Sequence, residues 1–189
     1  MCTAPGASPF GDIGDSFARS QIDSLFAKGI VAGTSSTTYA PDAVVTREQM
    51  AVFLLKTYED AFQAEYGPVA RHPFTDTAGS FAREAIDQLF DAGITGGCAT
   101  GSYCPADGVT REQMAVFLVR LWEYLTDRSP LVVATPFTDI STSFAGVQIA
   151  QLVGLGVTGG TSAATFGPGD PVTREQLAAF LVALERSLS

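Results

Sequence analysis

Few side chains in this sequence are equipped for chemistry, and the most persistent of them is an arginine that returns three times in one setting. VTREQMAVFL fills 45–54 and again 109–118, and VTREQLAAFL fills 172–181. Arg47, Arg111 and Arg174 therefore each follow a threonine and precede a Glu-Gln pair. A guanidinium carries five N–H donors in a planar fork that matches carboxylates and phosphates. Thr46 with Gln49, Thr110 with Gln113 and Thr173 with Gln176 fit capping boxes, so each arginine is expected at the first position of a helix. A cation there opposes the helix dipole, at a cost of a few tenths to about 1 kcal/mol. Glu48, Glu112 and Glu175 offset the charge but, as immediate neighbours, do not face the arginine on the helix. Two readings explain such a cation. It is an internal strut, bonded to Asp12, Asp76 and Asp139 or to backbone carbonyls of the same or next repeat. Or it forms an anion site, with helix N–H groups and guanidinium converging on a carboxylate or phosphate.

Other candidates are weaker. His72 is the only histidine, between Arg71 and Pro73, and reads as exposed linker filler. No repeated Ser or Cys nucleophile stands beside a base, so no hydrolytic triad is expected and the chain reads as non-enzymatic. Acids such as Asp12 and Asp15 suit helix N-termini. Asp42, Asp107 and Asp170 lack calcium-loop spacing. Gly96/Gly97 and Gly159/Gly160 precede loops rather than phosphate-cradling helices, so neither metal nor cofactor is expected. Cys98 and Cys104 flank the loop in GCATGSYCP. A bridge between them would stabilise by roughly 2–3 kcal/mol and implies an oxidising compartment. A zinc site would need a second pair of ligands. Cys2 is left over as an intermolecular thiol, a lipidated terminus or a residue exposed by trimming. Trp122, Tyr124 and Leu125, with Tyr58 and Phe62, have the residue types of a sugar-stacking surface, but at helical spacing they read first as core or inter-repeat packing.

The elements that position these residues follow from composition and periodicity. With 189 residues, 46 % of them apolar, the chain can bury a core. Its net charge of −9, with Lys28 and Lys56 as the only lysines, leaves no basic stripe for phosphate backbones, which argues against a nucleic-acid partner. No apolar run approaches the ~20 residues of a transmembrane span, and no charged-then-apolar segment opens the chain. A soluble globular protein is expected, or the mature form of one that lost its signal. Asparagine is absent, so there is no N-linked glycosylation acceptor.

Three repeats are legible, at about 10–67, 74–128 and 137–188. Each opens with Phe, Asp and a second Phe: Phe10/Asp12/Phe17, Phe74/Asp76/Phe81, Phe137/Asp139/Phe144. A helical stripe follows, as Ala18/Ile22/Leu25/Phe26, Ala82/Ile86/Leu89/Phe90 and Ala145/Ile149/Leu152/Val153. Ser16, Ser80 and Ser143 are expected as its N-caps, and Gly29, Gly93 and Gly156 as left-handed C-terminal stops. A Gly/Ser/Thr/Pro-rich loop then holds one aromatic before a proline, Tyr39/Pro41, Tyr103/Pro105 and Phe166/Pro168, and leads into the arginine-bearing helix. No helix-loop-helix unit of this size buries its apolar face alone, so the three are expected to close around one core. The connectors GPVARHP and SPLVVATP are short and proline-bounded.

This arrangement resembles the S-layer homology family, on F-x-D, the I-x2-L helix, G-I-x2-G at Gly29–Gly33, Y-x-P in the loop, and T-R at the second helix. The resemblance covers nearly the whole chain in three copies. It implies a mostly α fold, with three helix-loop-helix repeats forming one pseudo-threefold unit around a central three-helix bundle. It also implies a non-catalytic, extracellular module that anchors proteins to the cell surface by binding a pyruvylated secondary cell-wall polymer in grooves between repeats. Carried over by position, Arg47, Arg111 and Arg174 bind the polymer, and Gly33, Gly97 and Gly160 let the backbone approach it. The family's T-R-A-E reads here as T-R-E-Q, which keeps the capping box and adds a carboxylate beside each arginine. The alternative reading is a structural protomer that packs against copies of itself or a partner in an extracellular assembly.

Overall fold

The structure is a computed structural model and describes residues 7–188. Cys2 lies outside the described residues. Six α-helices alternate short and long: α1 (Arg19–Ala27), α2 (Arg47–Phe62), α3 (Arg83–Asp91), α4 (Arg111–Thr126), α5 (Gly146–Gly154) and α6 (Arg174–Ser187), with one 3-10 turn at Thr75–Thr77. The chain is thus mostly helical, with one short and one long helix per repeat.

Each long helix begins where the sequence placed it. Thr46, Thr110 and Thr173 accept from the backbone N–H of Gln49, Gln113 and Gln176, whose side chains return the bond, so all three capping boxes are complete. The short helices start differently from expectation. Their N-caps are Ala18, Ala82 and Ala145, without a side-chain cap. Ser16, Ser80 and Ser143 sit two residues earlier, and their hydroxyls accept from the N–H of those alanines at 3.1–3.2 Å, a serine turn that leads into the helix. Gly29, Gly93 and Gly156 stop the same helices with φ of +73°, +72° and +70°, a conformation that side chains with a Cβ resist.

The packing partners cross repeat boundaries. The short helix α3 packs on α2 of the preceding repeat, α5 on α4, and α1 on α6, so the first helix of the chain closes onto the last. Ile22, Leu25, Ile86, Leu89, Ile149 and Leu152 point into this contact, each at most 2 % exposed, with Met50, Leu54, Met114, Leu118, Leu177 and Leu181 from the long helices. Trp122 is also core, 5 % exposed, with its ring N–H directed at Ser187 O of α6.

The residues just before the long helices interlock in a ring. Val45 N–H donates to Val172 O, Val172 N–H to Val109 O, and Val109 N–H to Val45 O, each at 2.9 Å. Every donor has an acceptor in another repeat, so none of the three segments completes its backbone bonding alone. This closed three-way exchange is consistent with the pseudo-threefold arrangement implied by the resemblance.

Candidate functional site

Arg47, Arg111 and Arg174 are 3–4 % exposed. Their Nε atoms donate at 2.7 Å to the carbonyls of Tyr103, Phe166 and Tyr39, the loop aromatics of the next repeat around the ring. The guanidinium carbons stand 4.7, 4.6 and 4.4 Å from those aromatic centroids and 5.4–5.5 Å from Phe117, Phe180 and Phe53. Stacking between two rings fixes each guanidinium plane. Burial pulls all three below the ordinary arginine pKa, yet an arginine remains protonated at neutral pH. Along its Nε edge, then, each arginine is a strut to the neighbouring repeat.

Two features of the sequence readings are corrected here. The opening aspartates do not pair with the arginines. Asp12 accepts from Tyr39 and Ala40 N–H, Asp76 from Tyr103 and Cys104, and Asp139 from Phe166 and Gly167, at 2.7–2.9 Å, and so brace the loop turn. Their carboxyls titrate below the usual range. Desolvation is the largest single influence on Asp12 and Asp76 and acts upward, but the N–H donors together outweigh it; for Asp139 the Phe166 N–H leads. Nor are the helix N–H groups free for an anion. Those of Arg47 and Glu48 are taken by Asp107 O and Pro105 O, those of Arg111 and Glu112 by Asp170 O and Pro168 O, and those of Arg174 and Glu175 by Ala43 O and Pro41 O.

What remains is the outer edge of the guanidinium. Nη2 of Arg47 and of Arg111 is buried with no hydrogen-bond partner, whereas Nη2 of Arg174 donates to Ala32 O at 2.6 Å. A buried donor on a cation without an acceptor is rare, because its desolvation is uncompensated. Both orphaned arginines line grooves. Arg47 enters one of about 420 Å³ with Thr95, Gly97, Gln113, Arg120 and Phe144. Arg111 enters one of about 350 Å³ with Thr158, Gly160, Gln176, Phe180 and Phe17. Each groove therefore draws on all three repeats: an arginine from one, a glycine turn and helix from the next, and a phenylalanine from the third.

Of the expected glycines, Gly97 and Gly160 line these grooves, and glycine at all three positions has a packing cause. A Cβ on Gly97 would meet Ser102 O at 2.4 Å and the Phe74 ring at 2.6 Å, and Gly33 and Gly160 stand equally close to Phe10 and Phe137. The extra glutamates face elsewhere. Glu48, Glu112 and Glu175 accept from the hydroxyls of Ser80, Ser143 and Ser16 at 2.7 Å, tying each long helix to the short helix packed on it. Sequence reasoning missed the second cation, Arg120, and the exposed rim of Phe17, Phe81 and Phe144, which are 63–70 % exposed. Their signal was present: three phenylalanines at one repeat position, outside the buried stripe.

Larger concavities lie elsewhere but offer less. One of about 500 Å³ holds Lys28 and Lys56, both already bonded to carboxylates. Another, of about 480 Å³, contains His72, which is exposed in the connector as expected but whose Nδ1 meets the fully buried Asp87 carboxylate. Tyr58, Phe62, Tyr66 and Tyr124 form an aromatic cluster joining α2, the end of repeat 1 and α4. Cys98 and Cys104 are joined as a disulfide, with Cα atoms 6.0 Å apart, across the loop beside the first groove. Among the described residues no group of three or more His, Cys, Asp or Glu is placed to hold a metal ion, and no helix is long and apolar enough to cross a membrane.

The sequence profile of the S-layer homology domain matches this chain at residues 9–51, 73–115 and 136–178. Among curated proteins, an S-layer protein of Bacillus thuringiensis subsp. finitimus is 26 % identical over 97 % of this chain and 22 % of its own length. Exoglucanase XynX of Acetivibrio thermocellus is 30 % identical over 93 % of this chain and 16 % of its own length. Cell surface glycoprotein 1 of Acetivibrio thermocellus is 27 % identical over 75 % of this chain and 6 % of its own length. The chain thus spans less than a quarter of each of these relatives.

Proposed function

The chain belongs to the S-layer homology family, and from that premise we propose that it is a non-catalytic anchoring module of the cell envelope, which binds a cell-wall polysaccharide of the pyruvylated secondary-polymer type in the grooves between repeats. The observation that carries this reading is that Arg47 and Arg111 each line a groove while the buried Nη2 of each has no hydrogen-bond partner. A carboxylate or phosphate on a sugar supplies the missing acceptor, and the charge-assisted bond is stronger for being partly desolvated. Phe144 and Phe17 offer an apolar face to the sugar ring. The glutamates of T-R-E-Q bond serine hydroxyls rather than the groove arginines. The glycine turn brings backbone to the groove wall. Relatives named as an S-layer protein and a cell surface glycoprotein support the same compartment, and the three repeats act as one unit because both the Arg47 and the Arg111 groove draw on all three.

The test is retention on purified cell-wall sacculi with and without their secondary polymer, for the wild type and for a folded Arg47/Arg111→Ala variant. Retention that needs the polymer and is lost in the variant supports the proposal. A folded wild type that ignores the polymer and self-associates instead identifies a structural protomer of an extracellular assembly.

A further inference from the structure

The cavity between the first connector and α3 offers little to an anion but holds an unmet acceptor, and we propose that it binds an organic primary ammonium group. Val69 and His72 of the connector, with Phe81, Arg83, Glu84 and Asp87 at and within α3, line about 480 Å³. None of these residues lines the Arg47 or the Arg111 groove, so the site is separate from both.

The unmet acceptor belongs to Asp87. This residue is 0 % exposed, and its Oδ1 is buried with no hydrogen-bond partner. Its Oδ2 meets His72 Nδ1 at 2.5 Å, while Arg83 Nε stays 4.0 Å away, beyond hydrogen-bond range. A carboxylate taken out of water with one oxygen unbonded is costly, because neither solvent nor a donor compensates it there. The other repeats leave no such vacancy. Asp23 holds the same helix position in repeat 1, and the N–H of Ser8 donates to its Oδ1 at 2.8 Å. His72 stands two residues before the opening phenylalanine, as Ser8 does, but it bonds through its ring to the other oxygen. In repeat 3 the helix position is Ala150, so no carboxylate needs a donor.

The cavity walls select the donor. Asp87 and Glu84 set two carboxylates against the single guanidinium of Arg83, and the net charge of −9 favours cations at longer range. Among the described residues no group of three or more His, Cys, Asp or Glu is placed to hold a metal ion, which points to an organic cation. A primary ammonium has three N–H donors and no acceptor, enough for Asp87 Oδ1 and the exposed Glu84 carboxylate at once. Phe81, 70 % exposed, adds a ring face for the charge, and Val69 an apolar wall for the carbon skeleton. The chain has no lysine to spare for this place, since Lys28 is bonded to Asp60 and Glu185, and Lys56 to Glu59.

The experiment is an amide-resolved NMR titration of the folded chain near neutral pH with two amines, methyl glucosaminide and n-butylamine. These separate an amino-sugar source of the ammonium from a simple aliphatic one. Methyl N-acetylglucosaminide and n-butanol are their uncharged counterparts. Saturable shifts are expected at Val69, His72 and Asp87 with at least one amine, and binding of its uncharged counterpart should be roughly tenfold weaker or more. Asp87→Asn should abolish the site. Because a change at a buried residue can unfold the chain, Glu84→Gln on the exposed rim gives a second reading and should weaken binding roughly threefold. Arg83→Ala should tighten binding by a similar factor, since it removes a like charge, whereas a neutral sugar would lose a donor and bind more weakly. Equal binding of an amine and its uncharged counterpart, unchanged binding in Glu84→Gln, weaker binding in Arg83→Ala, or no saturable shift with either amine would overturn the proposal. Each of these outcomes leaves the anchoring reading standing, because the grooves share no residue with this cavity.

Discussion

Arg47 and Tyr103 are bonded to each other twice. The Arg47 Nε donates to the Tyr103 carbonyl at 2.7 Å, and the Tyr103 hydroxyl donates back to the Arg47 carbonyl at 2.9 Å. Tyr39 and Arg174 repeat the exchange, whereas repeat 3 has Phe166 and makes only the first bond. Two residues far apart in sequence therefore pin a loop of one repeat to a helix of another. Because phenylalanine is native at the third position, Tyr103→Phe should pack without strain and lose one buried hydrogen bond. That costs about 1 kcal/mol and lowers the midpoint of thermal unfolding by roughly 2–4 °C. A loss several times larger would mean that the hydroxyl holds more than Arg47.

The loop aspartates predict a pH dependence with a definite sign. Asp12, Asp76 and Asp139 titrate below their ordinary 3.8 when folded, so their contribution is fully present above that value and is lost as pH falls through the folded pKa. Urea midpoints measured from neutral pH downward should hold until about pH 5 and then fall through the carboxylate range. A D12N/D76N/D139N variant should be weaker at neutral pH and flatter in acid. An acid slope unchanged in that variant would place the sensitive groups elsewhere.

The disulfide closes a short loop in repeat 2, where the other repeats have Thr34/Ala40 and Thr161/Gly167 and fold without one. Its removal is therefore expected to cost stability rather than structure. Cys98→Ser with Cys104→Ser should lower unfolding free energy by about 2 kcal/mol on the chain-entropy model, with the helical circular dichroism unchanged. Loss of helix in the reduced chain would show that the bridge organises more than its loop.

Glu48 stands next to a groove arginine in sequence yet accepts from Ser80. Glu48→Gln keeps that hydrogen bond and removes the charge. Retention on polymer-bearing sacculi should stay within a factor of about two, with stability changed by less than about 1 kcal/mol. A marked gain in retention would mean that the carboxylate's field reaches the groove despite the serine.

The candidate site was partly legible before any coordinates. Arginine at a helix start three times over is locally unfavourable, and a locally unfavourable choice that recurs points to a tertiary reason. What the residues left open was the acceptor, because the carbonyls of Tyr103, Phe166 and Tyr39 belong to other repeats and backbone atoms carry no sequence signature. Arg120 was hidden for a related reason: it lies outside the repeated motif, so nothing flagged it. Ser16, Ser80 and Ser143 were placed correctly in the chain but given the wrong task, since a serine two residues ahead of an alanine cap and a serine at the cap have almost the same local spacing.

The sequence by itself determined the six helices, their capping boxes, their glycine stops and the threefold repetition. Each of these depends on contacts within a few residues, where the period of the apolar stripe and the chemistry of a cap suffice. Only the tertiary structure decided which elements pair. The short helix of each repeat packs on the long helix of the one before, and the first closes on the last, because a repeat buries its apolar face only against a neighbour. Only the tertiary structure, too, separated the three arginines. Their motifs are the same, but the Nη2 of Arg174 meets Ala32 O while those of Arg47 and Arg111 meet nothing, a difference made by a turn in another repeat.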